Sequence, residues 1–197
     1  MKKSLIIALM ASGLISANAA EIQYSVSLSG PNESPVNASP GLGSGMVTFD
    51  DSLNTLTLQL SFSGLTGTTT ASHIHAATTV PFAGTAGVAT TTPNFAGFPL
   101  GVSSGIYSAT LDLLSASSYN PSYVTAHGGT PAGAEAALVA AMASGQAYWN
   151  VHSSAFAGGE IRGFLTPVPE PSSLALLGLC GIGMAVLAWR KDRKTKA

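Results

Sequence analysis

The sequence predicts a mainly β domain, an antiparallel Greek-key-like β-sandwich or small barrel with one short helix, followed by a C-terminal transmembrane helix. Three observations lead there. Short segments alternate apolar and polar residues with a period of two, most clearly at Leu56, Leu58, Leu60 and Phe62, and that period turns one face of a strand into a core. Turns rich in Gly, Pro and Ser separate these segments, with no strand-helix alternation of the kind that builds a parallel sheet. Only AGAEAALVAAMASG reads as a helix within the body of the chain.

Taken in order, Ile22, Tyr24, Val26 and Leu28 form a first strand that ends at Gly30-Pro31. A loop from Glu33 to Gly45 leads to a short strand at Met46 to Phe49, and Asp50 to Asn54 turns the chain into the Leu56 to Phe62 strand. Ala71 to Ala76 returns as a fourth strand, Ala86 to Thr90 as a fifth, and Ile106 to Leu113 follows a Pro93 to Gly101 loop. Thr130 is placed to cap the helix, Pro131 suits its first turn, and Gly145 stops it. Ala147, Trp149 and Val151 then alternate with Tyr148, Asn150 and His152, and after Gly158-Gly159 the last strand runs from Glu160 to Leu165.

The two ends have a different character. Residues 1–19 combine two lysines, an apolar run from Leu5 to Ile15 and the small-residue pattern Ala17-Asn18-Ala19, the layout of a cleavable secretory signal peptide. Ser172 to Trp189 is uncharged and precedes five basic residues. As a helix it would cover roughly 27 Å, close to a bilayer core of about 30 Å. The basic tail belongs on the cytoplasmic side, which places the body across the membrane from it. Between the ends lies one domain, residues 20–166.

Seven carboxylates against Arg162 alone leave that domain at −6, although the whole chain sums to −1. A surface with one cation cannot follow a row of phosphates, which excludes nucleic acid as a partner. The single cysteine, Cys180, sits in the C-terminal apolar run, so no disulfide can staple the exported body and burial alone must hold it. There is no GxSxG, no HExxH and no paired-cysteine motif.

Three short stretches carry the chemistry. In ASHIHAA, His73 and His75 flank Ile74, and on a strand both imidazoles share one face. YWNVHS puts His152 on the face of Tyr148 and Asn150, and GEIRGFL sets Glu160 two residues from Arg162. Two readings stay open. The cluster is either a hydrogen-bonded polar layer, in which Glu160 and Arg162 orient the imidazoles and pin strand register, or a copper or zinc site on His73, His75 and His152 with Glu160 nearby.

These stretches, GLTGTTTASHIH and YWNVHSSAFAGGEIRGFL, together with the opening SLSGPNESPVNASPGLGSGMVTFD, resemble the CHRD domain, a module first described in chordin. The resemblance implies a β-rich, noncatalytic extracellular module; it places His73, His75, His152, Glu160 and Arg162 at motif positions and leaves His127 outside them. Glu33-Ser34-Pro35-Val36 departs slightly from the usual order of that opening. The Gly-Leu-Thr-Gly turn before the H-x-H strand is also similar to the copper-binding strand of Cu/Zn superoxide dismutase, but the cysteines, bridging histidine and zinc-loop aspartate of that family are missing. Pro169-Glu170-Pro171, the apolar run and the basic tail resemble the PEP-CTERM sorting signal of exopolysaccharide-producing Gram-negative bacteria. That implies processing near the triplet by an exosortase, only transient anchoring by the helix, and a cell-surface or extracellular destination in biofilm matrix. The partners it suggests are polysaccharide or protein.

Overall fold

The computed structural model describes residues 21–169. The signal segment 1–19, the span 172–189, and Glu170 and Pro171 of the sorting triplet lie outside the described residues. Within them no helix is long and apolar enough to cross a membrane.

The strands are β1 (Glu21–Ser29), β2 (Leu42–Asp50), β3 (Thr55–Ser63), β4 (Thr69–His75), β5 (Gly105–Asp112), β6 (Tyr148–Ser153), β7 (Ile161–Phe164) and β8 (Thr166–Pro167). Two helices, α1 (Pro121–Ala126) and α2 (Pro131–Ala143), lie between β5 and β6. The strands form one antiparallel sheet in the order β4-β6-β7-β1-β2-β3-β5, with β8 also on β1. Of the two expected forms, the two-sheet sandwich is not the one made: the strands form a single curled sheet, a half-barrel, on the side of the small-barrel alternative. The ends of the path approach each other through the segment before β5: the Thr69 amide donates to the Val102 carbonyl at 2.8 Å and the Leu65 amide to Ser103 at 3.1 Å.

The inside of the curl is the core. Tyr24, Val26 and Leu28 of β1, Leu56, Leu58, Leu60 and Phe62 of β3, Trp149 and Val151 of β6 and Ile161 of β7 all point there, joined by Leu138 and Met142 of α2. Complete burial of one such side chain contributes roughly 1.5–3 kcal/mol, and a chain without a disulfide in this region relies on their sum. The Trp149 indole N–H donates to Ser72 Oγ at 2.8 Å, and that hydroxyl donates to the Asn150 carbonyl at 3.1 Å, so the core's polar atoms are served locally.

The helix at α2 begins and ends where its capping residues predict. Thr130 Oγ1 accepts from the Gly133 amide at 3.1 Å, and Gly145, at φ +70°, takes the left-handed turn that stops it. Three expectations are corrected. Strand β2 starts at Leu42 rather than Met46, because Gly43 and Gly45 pair normally with Phe62 and Leu60 but carry no side chain to mark a period. Ala86 to Thr90 is no strand: it makes isolated bridges at Val88 and Thr90, shaped by what it covers. A second helix, α1, starts at Pro121 with Asn120 Oδ1 accepting from the Ser122 amide at 3.1 Å.

Candidate metal centre

Strand β4 lies beside β6, with His73 opposite Asn150, His75 opposite Tyr148 and Ala71 opposite His152. Ile74 and Trp149 face the core, so strand alternation sends His73, His75, Tyr148, Asn150 and His152 to the outer face. That face is roofed. The chain between β4 and β5 folds back over it, and the carbonyls of Gly84 and Ala86 accept from Arg162 and from His75, at 2.9 and 2.8 Å. His73 is 6% and His75 9% exposed as a result.

The three histidines converge: one ring nitrogen from each lies within 4.8 Å of the others. Each ring is held at its other side by a backbone carbonyl. Nδ1 of His73 meets Pro93 O at 3.0 Å, Nδ1 of His75 meets Ala86 O at 2.8 Å, and Nδ1 of His152 meets Ala157 O at 2.9 Å. A carbonyl can only accept, so all three rings carry a proton on Nδ1. A neutral imidazole has one N–H, which leaves three Nε2 lone pairs turned inward.

Two of those lone pairs collide. Nε2 of His152 and Nε2 of His73 stand 2.9 Å apart, while Nε2 of His75 is buried without a partner. An acceptor facing an acceptor at hydrogen-bond distance requires a cation between them, either a proton or a metal ion. The proton is disfavoured. Burial first, and then the neighbouring charges of His75 and His152, hold His73 down to about 4. Burial likewise takes His75 to about 4, against the lifting effect of the Ala86 carbonyl, and lowers His152. At neutral pH the arrangement is three neutral imidazoles, each with its far nitrogen on a carbonyl that fixes ring and tautomer, as metal-binding histidines commonly are held.

Glu160 and Arg162 do not join them. Glu160 is fully buried on the opposite side of β7's start, where it accepts from Ser39 Oγ at 2.6 Å, from the Gly67 amide at 3.2 Å and from the Thr66 amide. Burial pushes this carboxyl up, and the hydrogen bonds of Ser153, Ser39, Thr66 and Gly67 outweigh it and hold it below its ordinary value. Glu160 lies in the bend before β7, which begins at Ile161, so the strand alternation that would have put it beside Arg162 does not reach it. Arg162 instead donates to the carbonyls of Asn32 and Gly84 and pairs with Glu33 Oε2 at 3.9 Å. Burial, opposed by Arg162, raises Glu33 to about 7.

Sequence reasoning missed two parts of this site. The orienting groups are main-chain carbonyls, which no residue type announces. The other is a stack: Tyr148 lies parallel to His75 at 4.7 Å and carries the Arg162 guanidinium 4.8 Å over its ring. Adjacency of Tyr148 and His152 on one face was the available signal. His127 stands apart, its Nδ1 on the Tyr123 carbonyl at 2.8 Å.

No curated protein and no solved structure matches the chain. Family comparison finds the PEP-CTERM protein-sorting motif over residues 167–194, which makes this an exported protein carrying the signal that an exosortase-type enzyme recognises on the way to the cell surface. The same comparison matches the CHRD domain over residues 24–165, spanning every strand from β1 to β7 and all three converging histidines, and on that match the chain belongs to the CHRD domain family.

Proposed function

We propose that the exported body is a noncatalytic module that holds one late first-row transition-metal ion, copper or zinc, on Nε2 of His73, His75 and His152. The observation that carries this is the 2.9 Å approach of two Nε2 atoms whose Nδ1 partners are both carbonyls. Bonds of about 2.0–2.1 Å from a shared ion would replace that repulsion. What the ion supplies is a buried cross-link between β4 and β6 together with a coordination position on the His152 side, where the cluster is least covered. Of the motif carboxylates, Glu160 is held by the Ser39 hydroxyl and the Thr66 and Gly67 amides, and Glu33 lies 3.9 Å from Arg162.

The test is titration of the metal-stripped full chain in mild detergent. Close to one equivalent of copper or zinc should bind, and an ion at a hundredfold its Kd adds about 2.7 kcal/mol, a rise in Tm of roughly 5–10 °C. His73→Ala should keep the fold and lose the rise. An identical metal response in that variant would sink the reading.

A second reading, docking of surface polysaccharide or protein, has one observation behind it. On the outward face of β1, β2 and β3, Ser27, Ser44, Ser61 and Ser63 line a shallow groove whose lining carries no charged side chain. Aromatic stacking is not its means, because among the described residues Phe82 is the one exposed aromatic side chain. Retention of the chain on purified exopolysaccharide, abolished by Ser44→Lys, would support it; retention unaltered by that charge would remove it.

A further inference from the structure

We infer, resting on the metal reading above, that the ion this site holds at equilibrium is monovalent copper rather than a dication. The first reason is the charge of the donor set. All three donors are neutral, and among the described residues no carboxylate or thiolate joins the group. An incoming ion therefore keeps its whole formal charge in a site whose two β4 ligands are almost completely buried. The cost of moving an ion out of water rises with the square of its charge, so a dication meets about four times the penalty of a monovalent ion.

The second reason is the neighbouring cation. Arg162, the one basic residue among the described residues, sits over Tyr148, and Tyr148 stacks on His75. Its positive charge stands one ring away from His75, and Glu33, 3.9 Å from the guanidinium, offsets only part of it because burial raises that carboxyl to about 7. At roughly 10 Å and an effective dielectric of about 20, one such charge weakens binding about tenfold per unit of ion charge, so a dication loses about a hundredfold.

Coordination number is the third. Zinc takes four ligands, and a site with three protein donors must recruit water or hydroxide. A monovalent d10 ion is saturated by three nitrogens in a trigonal array. Three Nε2 atoms from two adjacent strands, each ring held by a carbonyl on its far side, supply that number of donors.

The experiment compares ions on the metal-stripped full chain. Cu(I) is titrated anaerobically under reductant against a bathocuproine competitor, Zn(II) against a chromophoric chelator, and Cu(II) in air with its electron paramagnetic resonance recorded. Half-occupancy is expected at a free Cu(I) concentration at least a hundredfold below that for Zn(II), with no stable Cu(II) signal once a mild reductant is present. Arg162→Gln should narrow the Cu(I)-to-Zn(II) ratio by about tenfold, and Arg162→Lys, which keeps the charge, should not. Zn(II) bound as tightly as Cu(I), a Cu(II) signal that survives the reductant, or an unchanged ratio in Arg162→Gln overturns this inference while leaving the three-histidine site intact. Absence of binding by all three ions overturns the metal reading itself.

Discussion

Acidification of the metal-free protein tests whether the three imidazoles are held neutral by their surroundings. His73 and His75 titrate at about 4 in the folded state, against about 6.5 in an unfolded chain. A basic group with a depressed folded value stabilises the fold fully above the unfolded pKa, and the stabilisation disappears as pH falls through the window from 6.5 to 4. At 1.36 kcal/mol per pKa unit, each histidine withdraws roughly 3 kcal/mol, about 7 for the pair acting independently. Glu33 works in the opposite direction. Its folded value is raised to about 7, so the cost of burying its charge is relieved as pH falls from 7 to 4.5, returning roughly 3 kcal/mol. The net expectation is a stability maximum close to pH 7 and a loss of about 3 kcal/mol by pH 4. Urea denaturation of the chelator-treated chain at half-unit steps of pH measures it. His75→Gln should flatten the curve, and Glu33→Gln should steepen it. Equal acid slopes in wild type and His75→Gln would refute the assignment of the effect to the cluster.

The same values predict that bound metal survives mild acid: above about pH 5 His73 and His75 carry no competing proton, so affinity should fall only gently down to that point, and a titration falling steeply below pH 6.5 would contradict it. Glu160→Gln replaces a buried carboxylate that ties Ser39, Thr66 and Gly67 together; it should cost about 3 kcal/mol of stability while leaving metal affinity unchanged, checked by denaturation and titration of one preparation. Gly163→Ala should destabilise by about 2 kcal/mol or more, because a Cβ there runs into the Ser27 carbonyl where β7 passes β1. Thr130→Ala, which removes the α2 cap, should cost about 1 kcal/mol in the same assay.

Much of the inner face could be read in advance, and little of the outer. Leu56, Leu58, Leu60 and Phe62 alternate because one face of β3 is buried and the other wet, and such a pattern survives in the sequence. Half of β2 left no trace, since Gly43 and Gly45 contribute no side chain to either face. The shared face of His73 and His75 followed from spacing alone. Their meeting with His152 depended on β6 lying beside β4, a pairing between segments 77 residues apart that no local pattern sets. Glu160 misled because strand alternation was carried one residue too far: β7 begins at Ile161, and Glu160 lies in the bend before it.

The location of the cluster also keeps it apart from the packing of the core. A ligand set inside the curl would share its packing with Trp149, Val151 and Ile161, and any change in it would open a cavity in the core. Here the rings lie on the outside of the sheet, and what positions them is a roof of irregular chain whose carbonyls at Ala86 and Pro93 replace side-chain partners. The roof is itself hung from the core by Ile74, whose carbonyl accepts from Ala89 at 2.9 Å, and by Ser72, whose carbonyl accepts from Phe95 at 3.0 Å. Strand β4 thus holds the roof with its backbone and carries His73 and His75 at alternate positions. Substitution of the histidines should alter what the site binds far more than whether the domain folds, and substitution of Trp149 should do the reverse.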